Sequence, residues 1–276
     1  MASGAVSAVV FVRVQDSPAA TATAALPRLD WRATVRAVRD SIASHRRLLL
    51  MLAAILAALV VVVLVNRHGP PHAGLLVEPL AALGLVLAAR RHGVSWHDLG
   101  LSRRTWLRGL AVAGVAILAV ALLYAIAVAW PLTRPMFLDT RYQLDMGKAL
   151  LTALVFIPLG TVLMEEIVFR GVLLGVVGKR SKALAILTSS VLFGAWHILP
   201  SLNMGGNQLI ATIFGVGFWA TVAVVAAVVV FTGLAGWLMC EIRRRSGSLI
   251  ATAGLHWATN GLAVLLTSAV WALNLA

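Results

Sequence analysis

The chain has 276 residues, 61% of them apolar and 12% charged, and several apolar runs reach the ~18–20 residues that cross a bilayer. This composition excludes a soluble globular domain, and it turns the net charge of +13 from a nucleic-acid signal into a question of membrane sidedness. A single cysteine, Cys240, excludes an intramolecular disulfide and any cysteine-rich metal site.

Residues 1–47 read as a basic N-terminal tail, flexible or resting on the membrane surface. Its apolar patch, Ala5 to Val12, lacks a basic n-region, which argues against a cleaved signal peptide. Asp30 to Ser44 fits an amphipathic basic helix and a solvated tail equally well. The remainder, 48–276, is predicted to be an all-α, polytopic transmembrane domain. Its spans run over about 48–65, 73–89, 109–130, 147–177, 183–199, 209–242 and 249–273. Glu78, near one end of the second span, is expected to snorkel to the interface. The segment 209–242 is long enough for one tilted crossing or for two, which gives seven helices or eight.

The basic residues test that count. Of the 23 Lys and Arg, eighteen fall in the tail, in 90–108, in 179–182 and in 243–245, whereas four (Arg67, Arg134, Arg141, Lys148) fall in the alternate connectors. With seven spans the eighteen share one side, so the N-terminus is expected to be cytoplasmic and the C-terminus outside. Two crossings in 209–242 would break this alternation.

Within the spans, away from the interfaces, the ionisable groups are Glu165, Glu166, Arg170, His197 and His256, with Asn260 as a polar companion. Each charge in hydrocarbon costs at least ~2.5–3.5 kcal/mol, so the group calls for a partner network or a wet cavity. At ~1.5 Å per residue, Glu165 lies ~21 Å from Lys179, His197 ~22 Å from Lys182, and Asn260 ~22 Å from Arg245. Three helices thus deliver polar groups at one depth, about two-thirds of the way across from the basic side. Around the fourth span, Arg170 lies ~40° from Glu166 and ~140° from Glu165. Glu166 and Arg170 are therefore a self-neutralising i,i+4 pair, and Glu165 is the carboxylate left without an intrahelical partner, suited to a general base. His256 and Asn260 are likewise i,i+4. Taken singly, Glu166 with Arg170 reads best as a structural ion pair, His197 is as often interfacial as catalytic, and a lone Asn260 is packing glue. Glycines such as Gly194, Gly233 and Gly254 are expected to allow close helix packing.

Three stretches carry a resemblance. Glu165-Glu166-Ile167-Val168-Phe169-Arg170, Phe193-Gly194-Ala195-Trp196-His197 and His256-Trp257-Ala258-Thr259-Asn260 resemble, in order and spacing, the E-E-x-x-x-R, F-x-x-x-H and H-x-x-x-N motifs of the CAAX-processing and bacteriocin-immunity family of intramembrane glutamic endopeptidases. The resemblance implies a peptidase that needs no metal or other cofactor, with its core over about 147–273. In family terms Glu165 and His197 would activate a water, His256 and Asn260 would stabilise the oxyanion, and Glu166, Arg170 and Phe193 would shape the site or touch substrate. The implied partners are the lipid bilayer and a peptide or protein substrate. Prenylated C-terminal tails, secreted precursors and membrane proteins all stay open, and the oligomeric state is not readable. In a bacterium, which the excess of Arg over Lys favours, the membrane would be the plasma membrane. Three rival readings stand beside this one: a non-catalytic immunity factor or membrane scaffold, a zinc-dependent peptidase, and a transporter that uses Glu165 as a proton site. The zinc reading lacks H-E-x-x-H spacing, and the transporter reading lacks paired broken helices.

Overall fold

In a computed structural model, residues 30–202 and 212–273 are described. The tail over 1–29 and most of the uncharged loop 201–208 lie outside them, as do the first residues of the long segment 209–242.

Close contacts divide the chain into two units, ending and beginning at Ala43 and Ser44. In the first, the described residues are helical from Trp31, and the Asp30 carboxylate accepts from the Ala33 N–H at 3.1 Å, as an N-terminal cap does.

The second unit is an all-α membrane bundle. Seven long helices are seen among the described residues: α1 Trp31–His68, α2 Gly74–Arg91, α3 Trp106–Ala129, α4 Met146–Val177, α5 Lys182–Trp196, α6 Phe218–Ser246 and α7 Leu249–Ala272. They coincide with the seven segments expected from hydropathy, although α1 begins well before Leu48. Six, with α5 continued by the short helix to Ser201, are long and apolar enough to span a membrane; α2, with Glu78, Arg90 and Arg91 in its 18 residues, is the exception. Because α6 is one unbroken 29-residue helix, the described part of 209–242 holds no second crossing.

Local chemistry sets the boundaries. The Ser181, Asp145 and Ser248 side chains accept from the backbone N–H groups of Leu184, Lys148 and Ile250, and Pro131 follows α3. Gly247 ends α6 at φ 73°, a left-handed position that disfavours any residue with a Cβ.

α4 lies at the centre. Its residues 164–173 are buried all round, and Met164, Val168, Phe169, Val172 and Leu173 join one apolar cluster with Leu85 and Ala89 of α2 and Phe193 of α5. Small residues permit the close approaches that lipid-embedded helices depend on. Gly194 of α5 lies against Gly233 of α6, Phe193 against Gly236, and Ser189 against Cys240, an antiparallel pairing. Gly109 of α3 meets Ser248, Ala113 meets Gly254 of α7, and the Tyr124 hydroxyl donates to the Thr259 carbonyl at 3.0 Å, a parallel pairing.

Three basic connectors gather at one end. Lys179 Nζ donates to the Gly93 carbonyl at 2.7 Å, Arg243 Nη2 to the carbonyls of His97 and Asp98 at 3.1 and 2.9 Å, and the Leu249 N–H to the Gly100 carbonyl at 2.9 Å. Elsewhere the connector 130–145 is held by the Ser268 hydroxyl on the Tyr142 carbonyl and by Arg141 on Asp139. Burial pushes the Asp139 carboxyl up, but the hydrogen bonds and charge of Arg141 outweigh it and hold the pKa below the usual range. A carboxyl with a depressed folded pKa stabilises above its unfolded value of about 3.9 and loses that contribution as pH falls through the folded value. Acidification below about pH 4 should therefore raise amide hydrogen exchange at residues 139–142, and Asp139→Asn should show this raised exchange at neutral pH.

One sequence expectation is corrected here. Glu78 does not snorkel: its side chain is buried and accepts from Asn66 Nδ2 at 2.9 Å. A carboxylate one turn into a helix reaches an amide on the neighbouring helix more readily than it reaches an interface, and the buried acceptor needs a donor.

Candidate active site

The central part of α4 is not a uniform α-helix. Pro158 has no N–H to give, and the turns widen to π geometry over Thr152–Phe156, Pro158–Val162 and Glu166–Leu173. A matching π segment, Ala258–Leu262, lies in α7. π turns recur where a helix re-aims side chains for function. Here they fall on two of the three polar motifs.

The side chains assemble around Glu166. Its Oε1 accepts from Arg170 Nη1 at 3.1 Å and from His256 Nδ1 at 2.9 Å. Arg170 is fully buried. Its second amino group lies 3.2 Å from Met239 Sδ, and its guanidinium sits 3.8 Å from the centre of the Phe193 ring. A desolvated cation over an aromatic face gains ~2 kcal/mol, a useful supplement where, among the described residues, one carboxylate is the anionic partner.

Glu165 points to a different set of neighbours. Its Oε1 accepts from the Trp196 indole N–H at 2.9 Å, and its Oε2 lies 3.6 Å from His256 Nε2. Glu165 Oε2, Glu166 Oε2 and Arg170 Nε are buried without a hydrogen-bond partner among the described residues. The pairing assigns the His256 tautomer. An ionised Glu166 only accepts, so His256 Nδ1 donates, and a neutral ring then turns its Nε2 lone pair toward Glu165 Oε2. Two acceptors facing each other require a shared proton or an intervening donor such as water.

His197 closes α5 on the far side of Phe193. Its Nδ1 is 2.8 Å from the Phe193 carbonyl, its ring packs edge-on to Phe193 at 4.6 Å, and among the described residues no hydrogen bond joins it to Glu165. The Phe193 ring also faces His256 at 6.0 Å, so it stands between the two histidines. Asn260 is half-buried, with no side-chain hydrogen bond among the described residues. The structure thus joins Glu165, Glu166, Arg170, Phe193 and His256 in one cluster and leaves His197 and Asn260 beside it. No group of three or more His, Cys, Asp or Glu side chains is placed to hold a metal ion among the described residues.

Residues 147–262 match the family model for Rce1-like, type II CAAX prenyl endopeptidases. The resemblance read from the three motifs is borne out over this Rce1-like segment, which contains all of them. Over this stretch the chain is similar to CAAX-type intramembrane proteases, and its apolar helices are those of an integral multi-pass membrane protein. Residues 1–146 lie outside the matched stretch. No curated protein and no solved structure was found to match the chain.

Trp196, Met239 and Asn66 escape sequence reasoning. Trp196 occupies a variable position of the second motif, yet it holds the free carboxylate of the Rce1-like segment. Its place next to His197 is the signal that could have marked it. Met239 carries no such signal. Asn66 and Glu78 border a second polar region, where cavities of about 360 and 380 Å³ share Asn66. The first is lined by Trp196, the residue whose indole N–H is bonded to Glu165.

Proposed function

We propose that the protein is a metal-independent intramembrane endopeptidase of the CAAX-protease type in which Glu165 is the general base. The observation that carries this reading is the orphaned Glu165 Oε2, buried opposite His256 Nε2 at 3.6 Å. A water held by both acceptors gives a proton to Glu165, and its oxygen attacks the peptide carbonyl; the proton then passes to the departing amine. His256, steadied by Glu166, which Arg170 neutralises, stays close to the base throughout. Asn260 keeps its amide donors free of the cluster and serves the developing oxyanion, where preorganised donors in a dry site are worth most, while His197, whose Nδ1–H is given to the Phe193 carbonyl, stands beside it. The family name supports a prenylated peptide as one substrate class.

The test compares purified His256→Ala and His197→Ala in cleavage of a membrane-anchored peptide, with and without a zinc chelator. His256→Ala should lose at least ~10²-fold in rate, the scale of a general-base pair, and chelator should leave the wild type unchanged. Abolition by His197→Ala with His256→Ala near wild type would transfer the water-activating role to His197. Loss of wild-type activity on chelation refutes the metal-independent mechanism.

A further inference from the structure

At the end of the bundle where the basic connectors gather, a cavity of about 410 Å³ lies between the connector after α2, the turn after α4 and the turn between α6 and α7. Its wall carries Arg108, Lys179, Lys182, Arg243, Arg244 and Arg245. Two carboxylates stand against these six cations. Glu241 binds Arg244 at 2.6 Å and Arg245 at 2.5 Å, and Asp98 accepts from the Ser95 N–H at 3.2 Å. Lys179 is spent on a backbone carbonyl. Arg108 and Lys182 are exposed and have no carboxylate partner among the described residues.

Arg243 separates this cavity from an ordinary basic membrane face. Only 6% exposed, it donates Nη2 to two carbonyls, while its Nε is buried without a partner among the described residues. The positive-inside bias needs cations that are singly solvated; it does not need them drawn around a cavity with a buried guanidinium left half satisfied. The uncompensated charge around the cavity is met by an oxyanion with several acceptor oxygens.

We propose that this cavity binds phosphate groups, supplied by the headgroup of an anionic lipid at this membrane face or by a soluble diphosphate. Arg108 and Lys182 donate to the phosphate oxygens, and the buried charge of Arg243, whose Nε packs against Gly100, adds its field at the base of the site. The site is separate from the Glu165 cluster and does not depend on the peptidase reading.

The test uses the full chain in phosphatidylcholine nanodiscs, with two probes. Phosphatidylglycerol is titrated into the bilayer and its occupancy followed by native mass spectrometry; sodium pyrophosphate is titrated from solution and followed by calorimetry. The wild type should bind at least one of them saturably, and Arg108→Gln/Lys182→Gln should weaken that binding at least tenfold at constant ionic strength. The two substituted positions are exposed, so the thermal transition without probe should not move. Saturable binding of the lipid alone assigns the membrane source, and of pyrophosphate alone the soluble one. The proposal is overturned if neither probe saturates, or if the double variant binds as tightly as the wild type.

Discussion

Purified protein carrying Glu165→Gln is expected to lose at least ~10²-fold in the rate of peptide cleavage, the lower end of what a positioned general base contributes, while its thermal transition stays near that of the wild type. Gln keeps the volume of Glu and retains a carbonyl oxygen for the Trp196 indole N–H, so the contact that fixes the side chain survives. What is lost is the carboxylate facing His256 Nε2. Cleavage measured by mass spectrometry of the products, alongside the melting curve, separates a chemical defect from a folding one. Wild-type cleavage by the variant would remove Glu165 from the mechanism, whereas no cleavage by the wild type itself would favour the scaffold reading.

The second large effect falls on stability. Arg170→Ala should destabilise the protein by about 3–5 kcal/mol, because it leaves the buried Glu166 without its cation and opens a void beneath Phe193. The double variant Arg170→Met/Glu166→Gln, which removes both charges and keeps the volume, should be appreciably more stable than Arg170→Ala. Unfolding in a denaturing detergent series would read both. Equal stability of Arg170→Ala and the wild type would show that the ion pair holds nothing together, and the division of labour between the two glutamates would fall with it.

Much of this site is legible in the sequence, for reasons that differ from residue to residue. Glu166 and Arg170 are four apart on one helix, so their pairing follows from helical geometry, and the π register around them leaves it intact. Glu165 is correctly separated from that pair, and the depth estimate selects α5 and α7 as the helices that meet it. Depth fixes height along a helix but not rotation about it. For that reason the residue that reaches Glu165 from α5 is Trp196 rather than its neighbour His197, and His256 turns out to bridge both glutamates. α-Helical angles put Asn260 on one face with His256, whereas the π segment Ala258–Leu262 spaces that turn differently. Hydropathy assigns a charge near a helix end to the interface, and Glu78 departs from it because its buried carboxylate has an amide within reach. Its partner Asn66 lies across a turn, on a helix read independently.

The π geometry of α4 also bears on how the chain tolerates changes in length. A π turn holds one residue more than an α turn closes over, so each such segment is a place where a single residue can be removed and the ladder re-formed with i→i+4 bonds. In Thr152–Phe156 such a loss shifts residues that precede the glutamates and leaves the ladder beyond them in phase. Between Glu166 and Arg170 it would bring the guanidinium three residues from its carboxylate and swing it away from Phe193. The same helix is thus forgiving of length in its first half and intolerant of it in its second, with Glu165 standing between the two.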